Sequence, residues 1–359
     1  MKKAWSILPE EWKAELEGRG LRPFRAEQIL QALYREYITD WDQATTLPKD
    51  LRSTLKEEFP ISMPKILAKD EGGDGTVKLL LGLDDGNSVE TVLIPAQGRL
   101  TQCISSQVGC AMGCAFCASG SKGLVRSLEA DEIVAEVMAA RAFSKPQDKT
   151  VGVTNIVVMG LGEPFANYDN VMRALKLLNA GKGPNLGARH ITLSTCGIVP
   201  GFERLASEGL QFELSVSLHA PNDEIRNMLM PVNRRWPMAE LLEACRRYTA
   251  KTGRVITFEY TLVKGINDSR ANAEELARVL KPLRGCKVNL IPLSPVDHRP
   301  DFKTPDEDTM LRFLDVLMKA RIQTMLRRSR GKDVAAACGQ LRLREMAGSG
   351  GQGGSCNAT

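Results

Sequence analysis

From Thr101 onward the chain repeats one pattern, a short apolar strand followed by an amphipathic helix. Strands that alternate with helices at a regular interval predict a parallel sheet with helices outside it. The sequence contains six such units, enough to curl the sheet into a full or partial barrel of the α/β class. The predicted strands cover residues 102–108, 155–159, 190–194, 213–218, 257–262 and 288–293.

The first hundred residues do not follow this repeat. They begin with helical patterns, and two apolar runs, 77–81 and 89–94, then flank a turn at 84–87 that is typical of a β-hairpin. The predicted domains are therefore a small N-terminal helical domain at 1–60, a β-hairpin extension at 61–100, the barrel at 101–325, a C-terminal segment at 326–347 and a disordered Gly- and Ser-rich tail at 348–359.

Three cysteines stand close together after the first predicted strand, in the run Cys110-Ala-Met-Gly-Cys114-Ala-Phe-Cys117. Three thiolates at these spacings can hold three corners of a cubane iron–sulfur cluster and leave the fourth iron open. A structural zinc site is one alternative, but it commonly closes four ligands in two pairs, and no second pair is near in the sequence. Three buried thiols are the other, and they would not explain Gly109 and Gly113, which indicate a loop wrapped around a ligand.

Polar residues stand at the ends of most other predicted strands. Because the carboxyl ends of parallel strands meet at one mouth of a barrel, we expect these residues to share a site with the cysteines. Gly162 and Glu163 form a tight turn after the second strand, where a carboxylate can accept hydrogen bonds from an ammonium group. Individually Ser194, Ser217 and His219 would be ordinary turn or capping residues, but at neighbouring strand ends they are candidate ligand contacts. Ser294 after the sixth strand, and Leu218 between Ser217 and His219, are further candidates.

Composition limits the compartment and the partners. Nine cysteines, an odd number, in a chain whose start has no signal-peptide-like apolar run predict reduced thiols and a cytoplasmic protein. No stretch has the length of a membrane span, so no membrane partner is expected. A net charge of +5 does not by itself indicate nucleic acid, although basic residues cluster at Arg327, Arg328, Arg330 and Lys332.

The cysteine run, with an aromatic residue before its last cysteine, resembles the cluster loop of the radical S-adenosylmethionine (SAM) enzymes. The resemblance implies a partial (β/α)6 barrel and a [4Fe-4S] cluster whose open iron binds SAM and whose electron splits it to a 5'-deoxyadenosyl radical. The turn at Gly162 and Glu163 resembles the Gly-Glu-Pro segment of that superfamily, which faces the ammonium group of SAM. Ser194, Ser217 and His219 would then contact the ribose and carboxylate of SAM.

A second resemblance covers nearly the whole chain, in segments 23–29, 91–95, 103–110, 193–195, 217–220, 231–233 and 330–341. These segments are similar to the bacterial radical SAM RNA methyltransferases that methylate a ring carbon of adenine. The resemblance implies methylation of carbon 2 of an adenine in 23S rRNA, at the peptidyl-transferase centre of protein-poor or naked rRNA, and of the adenine next to the tRNA anticodon. It also implies two SAM molecules per turnover, an electron donor such as flavodoxin, and a monomer.

The same resemblance assigns roles to three further residues. Cys338 would be methylated by the first SAM and would carry the methyl group, and Cys103 would remove the ring proton and resolve the RNA adduct through a transient Cys103–Cys338 disulfide. Glu90 matches the family's proton acceptor. One departure concerns Ser294, because the family commonly has an asparagine there that contributes to the adenosine site; Asn289 is a candidate replacement.

Two other functions are open at this stage. One is methylation of carbon 8 of the same rRNA adenine, the antibiotic-resistance activity of related enzymes that use the same two cysteines. The other is an iron–sulfur protein that binds RNA or senses redox state without catalysis. A sensor has no need of Cys338, so this residue favours the enzyme.

Overall fold

The computed structural model describes residues 2–144, 152–283 and 285–327. Its strands are β1 Lys65–Glu71, β2 Val77–Gly82, β3 Ser88–Ala96, β4 Arg99–Ile104, β5 Gln107–Gly109, β6 Leu124–Ser127, β7 Val153–Val158, β8 Ile191–Thr195, β9 Glu213–Ser217, β10 Ile256–Leu262, β11 Lys287–Pro292 and β12 Gln323–Leu326. Its α-helices are α1 Pro9–Gly18, α2 Phe24–Gln31, α3 Lys49–Glu58, α4 Ala130–Phe143, α5 Tyr168–Asn179, α6 Pro200–Ser207, α7 Asp223–Leu229, α8 Met238–Thr252, α9 Arg270–Leu280 and α10 Glu307–Lys319.

Ten of these strands form one sheet, in the order β1-β2-β3-β4-β7-β8-β9-β10-β11-β12. Every neighbouring pair from β4 to β12 is parallel, and helices lie between successive parallel strands in the chain. The predicted α/β class and its six parallel strands are confirmed. The structure adds a seventh parallel strand, β12, which the sequence pattern did not predict because it is only four residues long.

The first predicted strand, 102–108, is wrong in one respect, because the chain leaves the sheet after Ile104. The backbone N–H of Ser105 donates to the carboxylate of Glu136 on α4 (3.1 Å to Oε1), and the N–H of Ser106 donates to the carbonyl of Leu161 (2.8 Å). Residues 107–109 then form β5, which pairs antiparallel with β6 in a separate two-stranded sheet. This break turns the chain out of the large sheet just before the three cysteines.

The predicted hairpin is present as β2 and β3, but it is not an isolated extension. β3 pairs antiparallel with β4, and β1, which was not predicted, pairs antiparallel with β2. These three strands therefore continue the large sheet beyond its parallel part. They place residues of the hairpin beside residues of β4.

The two faces of the large sheet differ in chemistry. One face, here called the helix face, carries fully buried apolar side chains such as Ile156, Val216 and Phe258, which pack with the helices in a single hydrophobic core. Because side chains alternate along a strand, the residues between them point to the opposite face. That face, here called the polar face, carries Cys103, Thr192, Ser194, Ser215, Ser217, Glu259 and Asn289.

Residues 4–59 are mainly helical, and their apolar stripe is buried as the sequence predicts. Trp5 is fully buried, packs on the ring of Tyr34 at 5.6 Å and donates from Nε1 to the carbonyl of Ser62 (3.1 Å). The short helix that carries Trp5 contacts α4 and α5, so this region rests on the barrel helices. Within the three described ranges, no helix is both long and apolar enough to cross a membrane.

Candidate active site

The three cysteines lie on the loop between β5 and β6, and each is partly buried. The N–H of Cys110 donates to the carbonyl of Gly123 (3.0 Å), and the N–H of Cys117 donates to the carbonyl of Cys114 (3.1 Å). Gly109 has a φ of +81°, and a Cβ there would lie 2.1 Å from the Gly123 oxygen. Only glycine fits this position, so the start of the loop is set by close backbone contact.

The thiols of this loop interact with one another electrostatically. Burial, together with the nearby charges of Cys117 and Glu163, raises the pKa of Cys110 to about 11. Burial also raises the pKa of Cys114, to which the other two cysteines add. Thiolates are the metal-binding form, so a bound cationic cluster would supply the positive charge that this loop needs to ionise.

Among the described residues, no three His, Cys, Asp or Glu side chains converge on a position that would hold one metal ion. A zinc ion requires such convergence, because all its ligands bind one atom. In a cubane cluster each thiolate binds a different iron, so the thiolates need not converge. Three thiols on one loop fit the donor set of a cubane cluster.

The turn at Gly162 and Glu163 follows β7 and lies against the start of the cysteine loop. Gly162 has a φ of +99°, and a Cβ there would lie 2.5 Å from Cβ of Gln107. The Glu163 carboxylate is buried and accepts the N–H groups of Phe165 (2.9 Å) and Cys196 (2.7 Å). Burial raises the pKa of Glu163 despite these bonds, which favour the charged form.

Ser194 and Ser217, both half-buried, stand at the ends of β8 and β9 on the polar face. The backbone N–H of Leu218, directly after β9, donates to the carbonyl of Glu259 (3.0 Å). Ser294, also half-buried, follows β11. The structure therefore places these predicted residues at the carboxyl ends of parallel strands, as the sequence predicts.

His219 adopts the left-handed conformation, with a φ of +54°. Its Nδ1 accepts the backbone N–H of Thr261 (2.8 Å), and the ring of Phe116, from the cysteine loop, packs edge-on at 4.7 Å. Burial, aided by the charge of Arg226, lowers the pKa of His219 to about 3. The imidazole is therefore neutral and carries its proton on Nε2, which makes it a hydrogen-bond donor at this mouth.

Arg226 on α7 forms hydrogen bonds with the backbone that follows β8 and β9. The sequence did not predict this role. Its guanidinium is fully buried and donates to the carbonyl of Cys196 (2.7 Å) and to Oδ1 of Asn233 (2.7 Å). It also reaches the carbonyl of Leu218 (3.3 Å). Arginine is almost never fully buried unless its charge is paired or hydrogen-bonded, and here the carbonyl groups provide these bonds. The sequence carries no sign of this hydrogen-bond network.

Asn289, the candidate replacement for the family asparagine, lies on the polar face. Its Nδ2 donates to Oε1 of Glu259 (2.9 Å), and the hydroxyl of Ser215 donates to the same oxygen (3.1 Å). Burial raises the pKa of Glu259. Glu259 was missed, although a glutamate inside the apolar strand β10 breaks the strand pattern and was a readable signal.

Cys103 and Glu90 come together at the other end of the polar face. Cys103 on β4 pairs with Val92 on β3, and Glu90 lies two residues from Val92, so their side chains share one face. Both are buried, and Nζ of Lys78 lies 3.5 Å from Oε2 of Glu90. Cys338 lies outside the described residues, as does the basic cluster beyond Arg327.

Comparison with known proteins identifies the family. The profile of the Radical SAM superfamily matches residues 104–278, and the profile of the Ribosomal RNA large subunit methyltransferase N-terminal domain matches residues 9–61. The superfamily implies a [4Fe-4S] cluster and SAM, in agreement with the cysteine loop.

Relatives match along nearly the whole chain. Proteins named "Probable dual-specificity RNA methyltransferase RlmN" from Geobacillus thermodenitrificans and Staphylococcus carnosus are each 46% identical, over 95% of this chain and 93% of their own length. The crystal structure of a radical SAM methyltransferase from Sphaerobacter thermophilus superposes with a TM-score of 0.88 at 46% identity, over 95% of this chain and 99% of that chain. The chain therefore belongs to the RlmN family of dual-specificity radical SAM RNA methyltransferases.

Proposed function

We propose that this enzyme methylates carbon 2 of an adenine in the peptidyl-transferase centre of 23S rRNA, and of the adenine next to the anticodon of tRNA. The observation that carries the proposal is the continuous polar face. Strand register connects Cys103 on β4 through Thr192, Ser194 and Ser217 to Asn289 on β11, without leaving that face. The thiol and the side chains that we propose to bind the nucleoside would thus share one face of the sheet.

The residues of this mouth suit the two cofactors. Cys110, Cys114 and Cys117 would hold the cluster. Gly162, Glu163, Ser194, Ser217, Leu218, His219 and Ser294 would bind SAM, with Asn289 as a further contact. When bound, the cluster and SAM supply a 5'-deoxyadenosyl radical. A ring carbon of adenine is a poor nucleophile, so radical chemistry is the route by which it can gain a methyl group.

Three residues of the chain would then move the methyl group. Cys338 would attack the methyl carbon of a first SAM, so that S-adenosylhomocysteine leaves and the methyl group is held as a thioether; a second SAM would serve the radical step, which gives two per turnover. After the RNA adduct has returned one electron to the cluster, Cys103 would remove the ring proton and attack the sulfur of Cys338. The carbon that leaves this sulfur takes up a proton and becomes the methyl group of the product, and a Cys103–Cys338 disulfide remains. Glu90 accepts a proton.

The remaining proposals concern the domains of the chain, its compartment and its partners. We propose that the helical domain at 1–60 contacts folded RNA, mainly by shape and phosphate contacts, and that the hairpin region at 61–100, the barrel at 101–325, the Cys338 segment at 326–347 and the tail follow it as the sequence predicts. The enzyme would act as a cytoplasmic monomer and take electrons from a donor such as flavodoxin.

Mass spectrometry of rRNA and tRNA nucleosides from a deletion strain tests the target position. We expect 2-methyladenosine to disappear from both RNAs and to return when the gene is restored. Loss of 8-methyladenosine instead would identify the antibiotic-resistance activity. If 2-methyladenosine persists in both RNAs, the proposed function is wrong.

A mass measurement on the protein separates an enzyme from a sensor. Reconstituted protein incubated with SAM should gain the mass of a single methyl group, and Cys338→Ala should not. A mass gain that survives Cys338→Ala would remove Cys338 as the methyl carrier.

A further inference from the structure

Lys78, the second residue of strand β2, has no exposed side-chain surface. Lysine is almost never fully buried unless its charge is paired. Its Nζ lies 3.5 Å from Oε2 of Glu90 on the neighbouring strand β3, and Glu90 is only 3% exposed. The two residues therefore form a buried ion pair.

The register of the antiparallel strands places this pair on the polar face. Lys78 pairs with Val92, and Val92 pairs with Cys103, so all three side chains point to the same side. The alternate residues of β2 and β3, Leu79, Leu81, Val89 and Leu93, belong to the core on the helix face. The ion pair thus lies on the same face of the sheet as the thiol of Cys103, and not on the helix face with the apolar core.

Stability does not explain such a pair. Removing two charges from water costs several kcal/mol per ion, and apolar residues of similar size in place of a buried pair are often neutral or stabilising. Leu80, two residues after Lys78 and on the same face of β2, shows that an apolar side chain can be buried on the polar face. A reason connected with chemistry is therefore required.

We propose that Lys78 is a positioning residue that holds the Glu90 carboxylate in a fixed orientation on the face that carries Cys103. The inference rests on the proposed function, in which Glu90 accepts a proton. In that step the carboxylate takes up one proton and becomes the neutral acid. Without the ammonium group, the carboxylate would lose the charged partner that fixes its orientation.

Single-turnover methylation of an rRNA fragment by the reconstituted enzyme tests this role. The variants are Lys78→Met, Lys78→Arg, Glu90→Gln and the double variant Lys78→Met/Glu90→Gln. The matched control is Lys69→Met on strand β1, which removes an exposed lysine paired with Glu71 at 2.8 Å. In each variant, methylation of Cys338 by SAM is measured as well, because that step precedes the proton transfer and reports an intact cofactor site.

We expect Lys78→Met to slow RNA methylation on the order of 10- to 100-fold, less than the roughly 10²–10⁴-fold that a general base itself contributes, because the base is misplaced and not removed. Cys338 methylation and RNA affinity should stay within about twofold. In the Glu90→Gln background, Lys78→Met should cause no further loss, because the group that Lys78 positions can no longer accept a proton. Lys78→Arg should recover most of the rate, and Lys69→Met should match the wild type.

Two results would overturn the inference: no loss with Lys78→Met, or an equal loss from it in both backgrounds. If Lys78→Met does not fold, Lys78→Arg decides, because a rate as low as that of Glu90→Gln contradicts a role for the charge. A fully active Glu90→Gln would instead contradict the proton-acceptor role in the proposed function. The two failures are therefore distinguishable.

Discussion

The position of Cys103 decides what its removal should do. Cys103 is buried on the polar face, in the same sheet row as Val92 and Val157. If this thiol resolves the RNA adduct, Cys103→Ala should stop turnover after the adduct has formed. We expect a slowly migrating RNA-linked protein band on a denaturing gel. Cys245→Ala, which removes a buried thiol from helix α8, should show no band; an equal band from both variants would contradict this role.

Glu136 gives a prediction about pH. Burial raises the pKa of Glu136 well above its ordinary value, whereas in the unfolded chain a glutamate carboxyl has a pKa of about 4.3. Above that pH the folded state therefore holds a proton that the unfolded state has lost, and the stability of the fold falls as the pH rises toward the folded-state pKa. Glutamine cannot ionise, and its oxygen can still accept the N–H of Ser105.

Glu136→Gln should accordingly gain stability relative to the wild type as the pH rises from 5 to 8, by at most about 1.4 kcal/mol per pH unit. Urea midpoints of both proteins at several pH values measure the difference, with the exposed Glu57→Gln as the control. A difference that stays constant, or that shrinks with pH, would show that Glu136 is charged in the fold.

At the level of elements, the β5–β6 hairpin fixes the start of the cysteine loop. Gly109→Ala places a Cβ 2.1 Å from the carbonyl oxygen of Gly123, whereas Gly98, with a similar φ of +70°, has open space around it. Both substitutions strain the backbone by about 1–2 kcal/mol, but only Gly109→Ala must move the hairpin. We expect Gly109→Ala to lose most of its bound iron and Gly98→Ala to keep it, as iron analysis after anaerobic reconstitution would show. Full iron content in Gly109→Ala would contradict the prediction.

Elements also show where sequence patterns are sufficient. The six parallel strands follow from their own apolar runs, and their order along the chain predicts where the polar strand ends meet. The break after Ile104 depends instead on Glu136, which lies more than thirty residues later and reaches the Ser105 N–H only in the folded chain. No local pattern distinguishes this turn from a continuous strand, so the sequence could not predict it.

Across the whole molecule, some residues of the candidate site could be predicted from the sequence and others could not. The cysteine loop, the Gly162 turn and His219 were predicted because residue type and spacing define their chemistry. Lys78 and Arg226 were not, because each acts through a partner that only the register or the tertiary contacts bring near. A charged residue inside an apolar run was a sequence signal for Lys78, whereas Arg226 has polar neighbours in the sequence and carries no such signal.

Two kinds of contact hold the N-terminal helices on the barrel, an ion pair and apolar burial, and they contribute unequally to the free energy of unfolding. The Arg173–Glu11 pair connects α5 to α1, but both side chains are about two-fifths exposed, so it should contribute less than about 1 kcal/mol. Trp5 is fully buried, so Trp5→Ala should cost about 3–5 kcal/mol. We expect a large fall in the urea midpoint for Trp5→Ala and a small one for Arg173→Met. Equal losses would mean that charge, and not apolar burial, joins the N-terminal helices to the barrel.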